Sequence, residues 1–400
     1  MTVTVAMYSH DSVGLGHSRR NRAIAHALAA DLPRLTGQDV CGVLIAGHPD
    51  APRDSLPAGW DWLVLPGFAR TGSGYAPRRL QVGSKRLAGV RTAALSSVLD
   101  ALAPDLFIAD RHPFGVGGEL RTPLARLRAW HPTRTVLGLR EVLDTPGVMT
   151  AEWDRAGGQE QICEAYDAVW VYGDPDVYDP RTTGELPAGL AARARATGYL
   201  SHGRPADAGT APAGPYLLTV LGGGSDGGPV ARAAAAAEVP AGCEHLVVTG
   251  PQMPPAEVAA VRAAAGEQTL VLNSAANVPE LIRGARAVVC MAGYNSLTEV
   301  LATDTPALVV PRTARRAEQP RRAAALAGLG LVDSLSQEAC TPQTVGAWFR
   351  RAHSGPRIQR TGVDLEGLSR IGSLAAELLG YPSTTETMNH QQMQESCFVA

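Results

Sequence analysis

The sequence predicts an α/β protein made of two doubly wound, Rossmann-like domains, and three observations carry that expectation. Short runs rich in Val, Ile and Leu alternate with longer amphipathic segments, the pattern of βαβ units around a buried parallel sheet. The alternation stops at Gly203 to Gly214, GRPADAGTAPAG, which has no periodicity, and then restarts. In each half a glycine-bearing turn follows the first strand, the place where open α/β sheets receive ligands. At 400 residues the chain also exceeds what one core usually holds. The expected division is residues 1–202, a linker at 203–214, and 215–381, with the last helix able to return to the first domain. Residues 382–400 are polar, lack a periodic face and are expected to be disordered.

In the first half the candidate strands are Val3 to Tyr8, Val40 to Ala46, Trp62 to Leu65, Leu106 to Ala109, Thr135 to Leu139 and Ala168 to Tyr172. Helical patterns lie between them, among them Arg19 to Ala30, where Ile24, Ala27 and Leu28 share a face, and Lys85 to Leu102. The second half offers Tyr216 to Leu221, Leu246 to Thr249, Leu270 to Leu272, Ala287 to Cys290 and Ala307 to Val310, each followed by a turn and a helix, and ends on a helix at about Leu365 to Leu379.

Composition excludes several function classes. A formal charge of −2 with no long basic run gives no electrostatic footprint for nucleic acid or an anionic membrane, which leaves small molecules as the expected partners. Lys85 is the only lysine, so a P-loop lysine is excluded and Schiff-base chemistry is disfavoured. Six scattered cysteines without zinc spacing fit unpaired thiols in a reducing cytoplasm, and no window reaches the length of an integral membrane segment. Neither H-E-x-x-H nor a strand-flanked D-x-D is present, so no metal and no resident cofactor are expected.

The glycine turns carry the chemistry. Gly14 and Gly16 follow the first strand, but a dinucleotide fingerprint would need glycine where Arg19 stands, and no acid closes the second strand. The turn of the second half is richer: Gly222, Gly223, Gly224, Ser225, Asp226 and Gly227 run into a helix, and glycines let a phosphate approach backbone amides. Further on, in CMAGYNSLTEV, a strand ends at Gly293 and Asn295 or Ser296 is expected to cap the next helix, with Glu299 in its first turn. Glu299 can cap that helix or accept two hydrogen bonds from the vicinal hydroxyls of a ribose. Together the turn and the acid read as a nucleotide site.

These residues resemble those of GT-B glycosyltransferases, in particular the family-28-like group that includes the N-acetylglucosaminyltransferase of lipid II synthesis. The resemblance spans about residues 1 to 380: GGSDG at Gly223 to Gly227 matches the family's loop, and AGYNSLTE puts Glu299 at the position of its ribose-binding glutamate. Glu318 and Gln319, in RRAEQPRRA, fall where the family reads the donor sugar. The segments YSHDSVGLGHSRRNRAIAHAL, DRHPFG and TVLGLREVLD are similar to a bacterial set of predicted glycosyltransferases. The resemblance implies a GT-B architecture, in which the two domains face each other across a cleft, and the transfer of a hexose-type sugar from a nucleotide diphosphate sugar to a small-molecule or glycan acceptor. The first loop departs from the lipid II enzyme, GLGH replacing a fully glycine-rich turn.

His17 ends the first turn, and an imidazole titrates near working pH, which suits a general base. The resemblance implies that Asp110 orients it, with His112 in reserve; alternatively His17 caps the helix or contacts the acceptor or a phosphate. Leaving-group charge would spread over the N–H groups of the two C-terminal turns. The E-x7-E signature of many retaining GT-B enzymes is missing, the residue eight before Glu299 being Met291, so inversion is expected. Arg140 and Glu141 either touch the acceptor or form an ion pair, Arg19, Arg20 and Arg22 read as a solvated helix face, and Arg312, Arg315 and Arg316 are available to a diphosphate. A nucleotide-sugar 2-epimerase and a non-catalytic nucleotide-sugar-binding protein are the competing functions.

Overall fold

The computed structural model describes residues 2–12, 16–53, 55–71, 74–205, 212–313 and 316–381. Gly14, Arg315, residues 206–211 of the expected linker and the 382–400 tail lie outside the described residues.

The strands of the N-terminal lobe are β1 (Thr2–Tyr8), β2 (Asp39–Ala46), β3 (Trp60–Val64), β4 (Phe68–Thr71), β5 (Gly74–Pro77), β6 (Leu106–Asp110), β7 (Arg134–Arg140), β8 (Ala168–Tyr172) and β9 (Ala194–Ala196). Seven form a parallel sheet in the order β3-β2-β1-β6-β7-β8-β9, while β4 and β5 pair as an antiparallel hairpin. The C-terminal lobe contributes β10 (Tyr216–Val220), β11 (Glu244–Val248), β12 (Thr269–Leu272), β13 (Ala287–Cys290), β14 (Ala307–Val309) and β15 (Asp333–Ser334). They form a second parallel sheet, β12-β11-β10-β13-β14-β15. Both sheets reverse their winding direction beside the first strand, between β1 and β6 and between β10 and β13. Each lobe therefore opens a crevice at the carboxyl ends of those two strands.

The apolar runs became strands because helices cover both faces of each sheet; β6 and β13 are buried along their full length. The hairpin, β9 and β15 were not legible: β9 and β15 have three and two residues, too few to show a period, and the hairpin is only partly buried. The first helix runs Gly16–Thr36, past Pro33, rather than stopping at Ala30. Its apolar face continues to the fully buried Leu32, so packing carries the helix through its last turn despite the lost N–H.

The last helix, Gly367–Leu378, packs on Gly16–Thr36 and buries Leu368, Ile371, Ala375 and Ala376. A side chain at Gly372 would come within 2.5 Å of Asp31 Cβ, so glycine sets this close approach. One apolar cluster extends through both lobes, from Met7 and Ile24 by way of Tyr199 and Tyr294 to Val288 and Leu297. Cys41, Cys163, Cys243, Cys290 and Cys340 are free. Among the described residues no helix is long and apolar enough to cross a membrane.

Candidate active site

The two crevices meet in one cleft of about 370 Å³, lined by Gly16, His17, His112 and Arg140 on one side and by Gly222 to Asp226, Gly293, Asn295, Ser296, Glu318 and Gln319 on the other.

On the N-terminal side the chain leaves β1 through Asp11, held in left-handed backbone at φ 42. Its carboxylate accepts from Ser18 N–H at 3.1 Å and from Ser9 Oγ at 2.6 Å. The Ser18 N–H of the helix start is thus already taken by a side-chain carboxyl group. His17 Nδ1 lies 3.2 Å from Asp110 Oδ2 at the end of β6. Arg20 grips the same carboxylate at 2.6 and 2.5 Å. Burial alone would raise the pKa of Asp110, but Arg20 and His17 overcome it and hold the group well below the usual carboxylate range. His17 Nδ1 also lies 3.1 Å from Arg20 Nη2; in the tautomer whose Nδ1–H donates to Asp110, Nε2 is left as the acceptor nitrogen, and the side chain keeps 21% exposure.

Sequence reasoning overlooked His10, although it stands just after the first strand. Its ring lies between those of His17 and His112, 4.6 Å from each. Its Nδ1 accepts from Ser12 N–H at 3.2 Å, so the proton sits on Nε2, which is buried without a partner. Burial, reinforced by neighbouring charges, pushes the pKa values of His10 and His112 well below the ordinary imidazole value, and both are neutral. In the same lobe Tyr8 donates to Glu119 at 2.6 Å, and Arg91 donates to Glu119 at 3.0 Å and to Tyr8 at 2.8 Å, a buried triad that ties β1 to two later segments.

On the C-terminal side the glycine turn is constrained rather than loose. Gly224 has φ 89, and a Cβ there would sit 2.2 Å from Thr249 O; only glycine permits this contact with the end of β11. Gly227 caps the helix Gly228–Ala235 and packs on Leu221, off the cleft wall. The helix Tyr294–Leu301 is capped by Gly293 without a side-chain bond, so neither Asn295 nor Ser296 is the cap. Asn295 instead donates to Gly16 O at 2.8 Å, joining the lobes. Tyr294, another residue the sequence did not single out, is buried between the guanidinium groups of Arg20 at 5.5 Å and Arg322 at 5.8 Å.

Glu299 needs a correction. With the cap at Gly293 it falls in the second turn, is 4% exposed, and does not line the cleft. It is held by Arg19 at 3.1 Å and by Arg204 at 3.5 Å. Arg20 and Arg22 are likewise buried, not solvated: Arg20 lies against Asp110, Tyr172 and Tyr294, and Arg22 donates to Ser55 O at 2.7 Å. Arg140 and Glu141 resolve as ion pairs across the lobes: Arg140 meets Glu318 at 2.6 Å and Glu141 meets Arg322 at 2.6 Å. Glu318 also accepts from Arg312 at 2.8 Å; burial opposes its charge, but this arginine cluster, led by Arg140, brings its carboxyl down to about 2. Gln319 Oε1 accepts the Arg312 N–H at 3.1 Å, and Arg312 pairs with Asp226 at 3.1 Å. Arg316 reaches over to Glu152 at 2.5 Å. Among the described residues no group of three or more His, Cys, Asp or Glu is placed to hold a metal ion.

Residues 217–354 match the family model described as glycosyltransferase family 28 C-terminal domain. No curated protein matches the sequence. Among solved structures, the chain is similar to the glycosyltransferase SnogD from Streptomyces nogalater, with 16% identity, coverage of 98% of this chain and 99% of that one, and a TM-score of 0.56. It is also similar to MurG of Acinetobacter baumannii, with 15% identity, coverage of 98% and 99%, and a TM-score of 0.52. A protein assigned provisionally as a UDP-N-acetylglucosamine 2-epimerase, from Listeria monocytogenes, matches with 10% identity, coverage of 96% and 99%, and a TM-score of 0.61. At these identities the structures establish the fold. The chain has the GT-B fold, and the family 28 domain at residues 217–354 assigns it to the glycosyltransferases.

Proposed function

We propose that the protein moves a hexose-type sugar from a nucleoside diphosphate sugar to a hydroxyl of a small-molecule or glycan acceptor, in one inverting step that needs no metal. The observation that supports this best is the juxtaposition of two walls: a buried Asp110 behind His17, facing a turn and a helix start that offer backbone N–H groups. In this reading His17 Nε2 takes the acceptor proton, the hydroxyl oxygen bonds to the anomeric carbon, and the bond from that carbon to the diphosphate breaks. The departing electron pair goes to the nucleoside diphosphate, where the glycine-turn amides and Arg312 spread its charge. Gln319 uses its oxygen on Arg312, which leaves its amide donors for a sugar hydroxyl. A ribose diol would reach Glu299 by displacing Arg19, the more exposed of its two partners.

A thermal-shift screen of nucleoside diphosphates and their sugars tests the donor, because stabilisation scales with affinity. His17→Ala is expected to abolish most turnover and keep nucleotide binding; turnover near wild type refutes the base assignment. The TM-score of 0.61 favours the epimerase as a second reading. That chemistry calls for free acids around the sugar, whereas Asp226 and Glu318, the acids lining the described cleft, are both paired with Arg312. Epimerisation of a nucleotide sugar without any acceptor would decide for it.

A further inference from the structure

Beside the cleft lies a second cavity of about 550 Å³, and the two share a wall formed by Arg70, Tyr75, Arg111, His112 and Arg316. Arg111 stands in that wall at φ 71, an uncommon conformation for a side-chain-bearing residue, anchored by its N–H to Gly138 O at 2.8 Å. Away from that wall Phe114, Val116, Val148 and Trp153 supply apolar surface beside Arg121 and Arg155. The hairpin β4–β5 that the sequence did not reveal supplies Arg70 and Tyr75.

The charge of this cavity does not balance. Five guanidinium groups, Arg70, Arg111, Arg121, Arg155 and Arg316, face two carboxylates, Asp144 and Glu152. Both carboxylates are engaged: Glu152 accepts from Arg111 at 2.6 Å and from Arg316 at 2.5 Å, and Asp144 lies 3.7 Å from Arg316. Arg70, Arg121 and Arg155 have no carboxylate partner among the described residues. Arg121 donates to Gln161 Oε1 and Ala156 O and lies 4.2 Å over the Phe114 ring, while Arg155 donates to Ala151 O, so both meet neutral groups. All three side chains are exposed.

We propose that this cavity seats the body of the acceptor and that the acceptor bears an anionic group, received by Arg70, Arg121 and Arg155, on an apolar or aromatic framework that lies against Phe114 and Trp153. A guanidinium presents a planar fork of donors that matches carboxylate and phosphate oxygens, and forks without a carboxylate beside apolar side chains select for an amphipathic anion. The acceptor hydroxyl passes the shared wall at His112, whose ring neighbours His10 and, beyond it, His17. The word acceptor rests on the transferase reading; the charge preference of the cavity does not.

The test compares naphthalene-2-carboxylate with naphthalene-2-carboxamide, which share a ring and differ by one charge, by calorimetric titration at low ionic strength. The carboxylate is expected to bind at least about tenfold more tightly, with the preference eroding as salt is raised. The double variant Arg121→Gln, Arg155→Gln is expected to weaken carboxylate binding about tenfold and carboxamide binding less than about twofold. Equal binding of the two probes, absence of binding by both at millimolar concentration, or equal loss of both in the variant overturns the proposal. Nucleoside diphosphate binding, titrated separately, reads the transferase assignment alone, so either can fail without the other.

Discussion

Glu318→Gln isolates one of the charges that tie the two lobes together. The carboxylate is 4% exposed, meets Arg140 from the opposite lobe at 2.6 Å and Arg312 at 2.8 Å, and has its carboxyl brought from 4.5 to about 2. That drop corresponds to about 3 kcal/mol of preference for the charged form. The amide also deprives Arg140 of its counter-charge, although burial already pushes that guanidinium down to about 10 with Glu318 in place. The expected destabilisation at pH 7 is therefore about 3 to 5 kcal/mol, the range for breaking a buried pair. Because the folded pKa is depressed, this stability is fully present above 4.5 and is lost as pH falls toward 2. Urea melts of both proteins should show their difference shrinking by about 2 kcal/mol between pH 7 and pH 3. A difference that stays constant over that interval, or one below about 1 kcal/mol at pH 7, refutes the assignment of Glu318 as a charged tie.

Three other substitutions probe the remaining parts. Asp110→Asn leaves Arg20 buried without its carboxylate and frees the His17 tautomer, so turnover should fall by about 10² to 10⁴ in steady-state assays; wild-type turnover would remove Asp110 from the mechanism. Gly224→Ala places a Cβ against Thr249 O in a left-handed conformation, and calorimetry should show nucleoside diphosphate affinity down at least about tenfold, with roughly 1–2 kcal/mol of strain added to the fold. Tyr294→Ala empties a site between the lobes where the hydroxyl accepts Leu200 N–H at 3.2 Å, and denaturant melts should register a loss of about 3 to 5 kcal/mol; a loss under about 1 kcal/mol would mean that Tyr294 does not join the lobes.

Much of the site could be read from the chain because its parts follow strands whose apolar runs are visible. Gly222 to Gly224, Gly293, His17 and His112 each come a few residues after such a run, and strand ends at a winding reversal converge in space. Glu299 was misplaced by reading a polar residue as the helix cap, where the structure uses Gly293 and leaves its amides free. Arg20 looked solvated because one helix shows only its own periodicity; Asp110, Tyr172 and Tyr294, which its guanidinium meets, lie far along the chain. His10 and the hairpin residue Tyr75 escaped because neither a motif nor a period marks them.

The sequence by itself determined the two α/β sheets, their order of elements and the turns that bear the chemistry, because apolar periodicity and glycine requirements are local properties of the chain. Only the tertiary structure decided which charges are engaged and which are free. Arg140, Arg316 and Arg322 found carboxylates on the other lobe, while Arg70, Arg121 and Arg155 did not. An ion pair forms wherever folding brings opposite charges within about 4 Å, and that distance bears no relation to their separation along the chain.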